Sequence, residues 1–332
     1  MQQGFWNVGI RKRMKATLRA SAAVAAAALA FTAAPLTGYA VRIEPAAQEG
    51  VTSNIFGSAG NQSEFYRQIS QAITQGQESL TITLDQPVSD QEEFIELCRQ
   101  AVYQARRDYP ESFLSNHTEF VYYYNESGYY QVTFSCRYLD LTDEQKQAMF
   151  NEVDSIVAQA RAQTGGDTVG MLRYFQQALC ERAEYDFAAA RSDSDHYPNS
   201  YHAYGALMEG KSVCQGYAYA FKLLCDRAQI PCWIVTGTYG DEPHAWNYVW
   251  VNNNYYLVDV TWDDANNRPA DSAFFLAGRD HAANYHVEDN CAPGTLAARS
   301  YSETGTTVIR RARQQTNQEE SSSRTLAGAA KG

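Results

Sequence analysis

Between Gly210 and Thr261 the chain changes its apolar period, and it sets one cysteine, one histidine and one aspartate around the change. From Cys214 onward, Ala218, Phe221, Leu224, Cys225 and Ala228 recur at i, i+3 and i+4 spacing, which describes a helix with a buried face. Gly210 breaks the chain just before it, so Cys214 stands at the helix N-terminus. There, unpaired backbone N–H groups and the positive end of the helix dipole favour a thiolate, the reactive form of cysteine. The same N–H groups suit an oxyanion. After Pro231 come three runs of β character, 232 to 238, 244 to 251 and 255 to 261, the last two separated only by Asn252, Asn253 and Asn254.

Taken singly, none of the three residues compels a chemical reading. A cysteine in apolar company is usually a small buried hydrophobe, and a strand histidine is usually a satisfied core or surface residue. Asp259 is harder to set aside, because a carboxylate between Val258 and Val260 is costly inside an apolar strand unless it is paired. A two-residue turn at Asn252 and Asn253 would pair Val251 with Asn254 and set Trp246 opposite Asp259, so that His244 and Asp259 share a face. A three-residue loop would shift the register by one and separate them. The shared face is what a histidine–carboxylate pair requires: the acid fixes one ring nitrogen and the other meets the thiol.

The strings that carry this pattern are VCQGYAYAF at 213 to 221, QIPC at 229 to 232, HAWN at 244 to 247 and VDVTWDD at 258 to 264. Together they closely resemble the bacterial transglutaminase-like domain of the transglutaminase and papain-like cysteine enzyme superfamily, over about 65 residues. One departure is Gln229, where the family often has glycine before the Ile-Pro pair. The resemblance implies an α+β fold with a papain-like core, a nucleophile helix packed on an antiparallel sheet. It also implies Cys214 as nucleophile, His244 as base and Asp259 as the acid that orients it. Such a triad attacks an amide carbonyl, forms a thioester and releases it to water or to an amine. The reaction classes are protease, deamidase or transglutaminase, and no cofactor or metal is implied. Tyr204 and Gln215 are candidate oxyanion donors, and Trp246 and Trp262 are candidate walls of the cleft. Asp263 and Asp264 are set aside as an acid–base pair, because neighbours on a strand point to opposite faces.

The first 40 residues hold no acid, begin with Arg11, Lys12, Arg13 and Lys15, and continue into an Ala-rich apolar run that ends at Pro35, Gly38 and Ala40. This is the layout of a secretory signal, and the run is too short for a membrane span. Residues 41 to 62 read as a linker and 63 to 160 as a small α+β domain. Residues 161 to 298 read as the transglutaminase-like catalytic domain, and 299 to 332 as a disordered tail. In the small domain, helices at 64 to 75 and 91 to 108, a strand at 80 to 84 and an aromatic hairpin at 119 to 124 and 129 to 139 are expected. A further helix is opened by Thr142.

Removing 1 to 40 takes away five basic residues and no acid, so the net charge falls from −11 to about −16. Nucleic acid is therefore an unsuitable partner, and no later segment is apolar enough for a stable membrane span. The expected product is a secreted or cell-surface enzyme whose substrate is a peptide or protein, cell-wall-associated ones included. Seven cysteines in an exported chain leave one unpaired if the rest form disulfides. Cys225 and Cys232 read as core residues or as a pair. Two competing readings stand beside the thiol enzyme. One is a zinc hydrolase with the same three residues as ligands. The other is a catalytically inactive cell-surface module that binds wall peptides or glycans through its tyrosine-rich N-terminal domain.

Overall fold

The computed structural model describes residues 8–10, 60–265, 273–288 and 291–302. Most of the expected leader and linker, and nearly all of the expected tail, lie outside the described residues. The chain divides into two compact units, residues 1–140 with 193–198, and residues 141–192 with 199–332.

In the first unit, helices α1 (Gly60–Thr74) and α2 (Gln91–Asp108) accompany a four-stranded sheet of β1 (Val8–Ile10), β2 (Ser79–Val88), β3 (Leu114–Asn125) and β4 (Gly128–Tyr138). The sheet order is β1-β3-β4-β2, with β1 parallel to β3 and the other pairs antiparallel. Asp90 caps α2 by accepting the N–H of Glu93, and the helix buries Phe94, Leu97 and Val102 against Phe120, Val132 and Phe134 of the hairpin. Tyr122 and Tyr129 belong to this core, packed on Phe94 at 6.0 and 5.1 Å between ring centroids, whereas Tyr123 and Tyr124 are exposed.

The second unit begins earlier than the sequence suggests. Helix α3 (Asp143–Thr164), expected in the N-terminal domain that ends at 160, falls wholly in the second unit. Its capping box at Thr142 and Gln145 sets its start, and its apolar side, Met149, Val153, Ile156 and Val157, is buried. It packs on α4 (Thr168–Arg182) and on α6 (Cys214–Ala228), with Arg182 paired to Glu152 and Arg227 to Asp154. Between α4 and α6 lie the short β5 (Glu184–Tyr185), α5 (Phe187–Ala190), a π-helical turn Gly205–Glu209 and β6 (Lys211–Ser212), which pairs in parallel with β5.

The pattern along α6 marks one buried face, but the structure buries every residue from Cys214 to Cys225. The helix is enclosed because α3, α4 and the π-helical turn cover it on one side and the sheet on the other. Gly216 makes this closeness possible: a Cβ there would lie 2.3 Å from Ser212 Oγ and 2.6 Å from the Ser200 carbonyl. The helix ends at Gln229, whose φ of 63° is the left-handed conformation that favours glycine. All seven cysteines are free, and the thiols of Cys225 and Cys232 meet in the core.

The sheet of this unit is antiparallel throughout, in the order β10-β9-β8-β7-β11. Its strands are β7 (Cys232–Tyr239), β8 (Glu242–Val251), β9 (Asn254–Val258), β10 (Phe275–Ala277) and β11 (Tyr285–Val287). Asn252 and Asn253 both have positive φ, 49° and 63°, as a two-residue type I′ turn requires, and Val251 pairs with Asn254. The third β run is shorter than expected. It stops at Val258, and α7 (Val260–Ala265) takes the place of its last residues. The cause is Asp259, whose Oδ1 accepts the N–H groups of Thr261 (3.1 Å) and Trp262 (3.4 Å) and so caps a helix against the β preference of Val260 and Thr261. The assembly is an α+β fold, with a buried helix packed on an antiparallel sheet. Among the described residues no helix is long and apolar enough to cross a membrane.

Candidate active site

Three elements converge where α6 begins. Cys214 is its first residue, after the N-cap Val213, and is 2% exposed. His244 comes from the start of β8 and Asp259 from the strand-to-helix junction after β9. His244 Nε2–H donates to Asp259 Oδ2 at 2.6 Å, so the two residues share a face, as the two-residue turn requires. The Cys214 thiol lies near enough to bear on the titration of the ring, and with Nε2 committed to the acid it is Nδ1 that is left for the thiol.

Electrostatics follow from this packing. Burial alone would favour a neutral imidazole. The charge and hydrogen bond of Asp259, joined by the hydrogen bond and charge of Cys214, outweigh burial and raise the His244 pKa to about 10. The Asp259 side chain is fully buried, yet its lone pairs are occupied: Oδ1 holds the two backbone N–H groups, and Oδ2 accepts from His244 and from the hydroxyl of Tyr285 at 2.7 Å.

The supporting contacts explain the residues around the three. Asn247 Nδ2 donates to the Ala218 carbonyl at 2.9 Å, which ties the strand that carries the histidine to the helix that carries the thiol. Tyr217 of α6 donates its hydroxyl to Asp264 of α7 at 2.6 Å. Asp263 and Asp264 thus lie on a helix, not on a strand as the sequence reading had them; Asp264 is a partner for Tyr217 and Asp263 is buried. Trp246 stacks on the His244 ring (5.9 Å, 20°) and Trp262 tilts over it (5.8 Å, 45°). Tyr239 and Tyr285 each stand 6.3 Å from the same ring. Aromatic rings therefore enclose the imidazole on several sides.

Of the candidate oxyanion donors, Gln215 is buried in the first turn of α6, where backbone N–H groups have no acceptor within the helix. Tyr204 is buried at the head of the π-helical turn, and its backbone N–H donates to His202 Nδ1 at 3.1 Å. Two further tyrosines escaped the sequence reading. Tyr185 of β5 pairs with Ser212, two residues before the thiol. Its hydroxyl is raised in pKa by burial and then by the charge of Cys214. Tyr285 follows an irregular stretch that carries no motif, and no short-range pattern marks it.

Residues 155–260 match the family described as the transglutaminase-like superfamily. Human kyphoscoliosis peptidase is 31% identical over 96 residues, which cover 25% of this chain and 14% of that protein, so the chain spans only a small part of that relative's length. Two solved structures are slightly similar. One is the crystal structure of a TGase, with a TM-score of 0.31, 15% identity, and 55% of this chain and 50% of that chain covered. The other is the periplasmic domain of TgpA from Pseudomonas aeruginosa, with a TM-score of 0.27, 17% identity and coverage of 42% and 59%.

Proposed function

The chain carries a transglutaminase-like superfamily domain at residues 155–260, and from that membership we propose that it is a secreted thiol enzyme of amide acyl transfer, with Cys214, His244 and Asp259 as its catalytic triad. The observation that carries the reading is the His244 ring, held at Nε2 by a buried carboxylate and set near a cysteine at the N-terminus of a buried helix. Such a ring draws the thiol proton through Nδ1, and Asp259 stabilises the imidazolium that forms. The thiolate adds to an amide carbonyl, and the oxyanion is received by N–H groups of the first turn of α6, Gln215 among them. His244 returns the proton to the leaving amine. The thioester left on Cys214 is then released to water or to an amine. The substrate is a peptide or protein outside the cell, cell-wall-associated ones included.

The test is alkylation of Cys214 by iodoacetamide across pH, read by mass spectrometry, in wild type and in His244→Ala. A free cysteine titrates near pH 8.5 and reacts little at pH 6. Wild-type Cys214 is expected to react at pH 6 at a rate close to that at pH 8, and His244→Ala to lose at least tenfold at pH 6. A Cys214 that behaves as an ordinary thiol in both proteins would defeat the catalytic reading and bring the binding module forward. Glutamine peptides then separate the reaction classes: ammonia release marks deamidation, ammonia with amine incorporation marks cross-linking, and new termini mark proteolysis.

A further inference from the structure

We propose that Tyr285 is a positioning residue for the triad, holding the Asp259 carboxylate in the orientation in which it grips His244. The inference rests on the triad reading above and extends it to a residue 25 positions beyond the end of the family match.

Asp259 Oδ2 accepts two hydrogen bonds, from His244 at 2.6 Å and from Tyr285 at 2.7 Å. Its other oxygen is committed to the cap of α7. With Tyr285 in place, a carboxylate with no exposure to water has a donor at each working direction; without it, one direction is empty. A buried carboxylate held by more donors is more firmly oriented. The phenol is suited to the task. Burial first, and then the nearby Asp259 charge, push its pKa upward, so it stays a donor at every pH at which the enzyme would work. Its ring is clamped edge-on by Trp246 (5.0 Å) and Tyr239 (4.9 Å), which limits its swing.

The backbone delivers Tyr285 by a single device. β11 pairs with β7 at Tyr285–Tyr239, His286–Thr238 and Val287–Gly237. A Cβ at Gly237 would lie 2.0 Å from the His286 carbonyl, so only glycine lets the strand come this close. Among the other titratable groups of this cluster, Tyr185 from β5 bears on Asp259, Cys214 from α6 on His244 and Asp263 from α7 on Tyr285. None of them takes the place of the Tyr285 hydroxyl on Oδ2.

Tyr285→Phe keeps the ring and removes only the hydroxyl. The pH profile of Cys214 alkylation is measured in full-length wild type, Tyr285→Phe and His244→Ala. The expected result is that the acid limb of the profile moves up by about one pH unit in Tyr285→Phe, because a carboxylate left free to turn grips the imidazolium less well and the thiolate loses its partner. A purely packing role would lower the rate and leave the limb where it is; an unmoved or down-shifted limb overturns the proposal. A wild-type profile identical to that of His244→Ala defeats the triad itself. A wild-type profile that depends on His244 and equals that of Tyr285→Phe defeats Tyr285 alone. Should Tyr285→Phe fold too poorly to label, the wild-type protein decides. The Tyr285 hydroxyl proton is expected in the NMR spectrum as a downfield, slowly exchanging line that moves in Asp259→Asn, and its absence overturns the proposal.

Discussion

Asp259 divides its two oxygens between two tasks, one structural and one electrostatic. Oδ1 starts α7, and Oδ2 holds His244. Asp259→Asn separates them, since the amide oxygen still caps the helix while the charge is gone. A histidine with a folded pKa near 10, against 6.5 when unfolded, adds stability that is fully present below pH 6.5 and is lost as pH rises through 10. The gap in thermal stability between wild type and Asp259→Asn is therefore expected to be widest near pH 6 and to narrow by pH 10. Thermal melts at a series of pH values check this; a gap that widens with pH would mean that His244 is neutral when folded. Much of this residue-level picture could be read from the chain alone. An aspartate between two valines has to find a partner, and the nearest histidine on the neighbouring strand is a short count away. Tyr285 could not be read, because its partnership depends on a three-residue strand that no period announces. Asn247 was visible only as part of a string, since its bond to the Ala218 carbonyl spans two elements.

At the level of elements, the hairpin register was legible because two asparagines can supply the positive φ angles of a tight turn and hardly any other pair of ordinary residues can. The end of β9 was not. Val260 and Thr261 favour a strand, and only the side-chain bonds of Asp259 turn the chain into α7. Helix α3 was recognised by its cap but put on the wrong side of the division, because a helix's own sequence does not say which core will bury it. The end of α6 offers a direct check on turn chemistry. Gln229 is exposed and holds a left-handed conformation, which costs a non-glycine residue about 1 kcal/mol. Gln229→Gly is expected to recover about that amount and to raise the melting temperature by roughly 2–4 °C. Calorimetry would show it, and a fall in melting temperature would contradict the reading of the cap.

For the whole molecule, the proposal of export makes a claim about its ends. Protein recovered from the medium is expected to begin at Val41, and N-terminal sequencing or intact mass decides this; a chain that keeps residues 1–40 would refute removal of the leader. Its removal would also take away β1, leaving β3 without its parallel partner at Thr118, Glu119 and Phe120. At the other end, the short strand β11 lies against β7 through the bare backbone of Gly237. Tyr285 is synthesised after the cysteine, the histidine and the aspartate that it would serve. If Tyr285 holds Asp259 as proposed, a nascent chain can already have its thiol helix and hairpin folded while its acid is still loosely held. Full reactivity would then arrive with the last of the described strands to cross the membrane, and a chain cut short before it would carry a quiet cysteine.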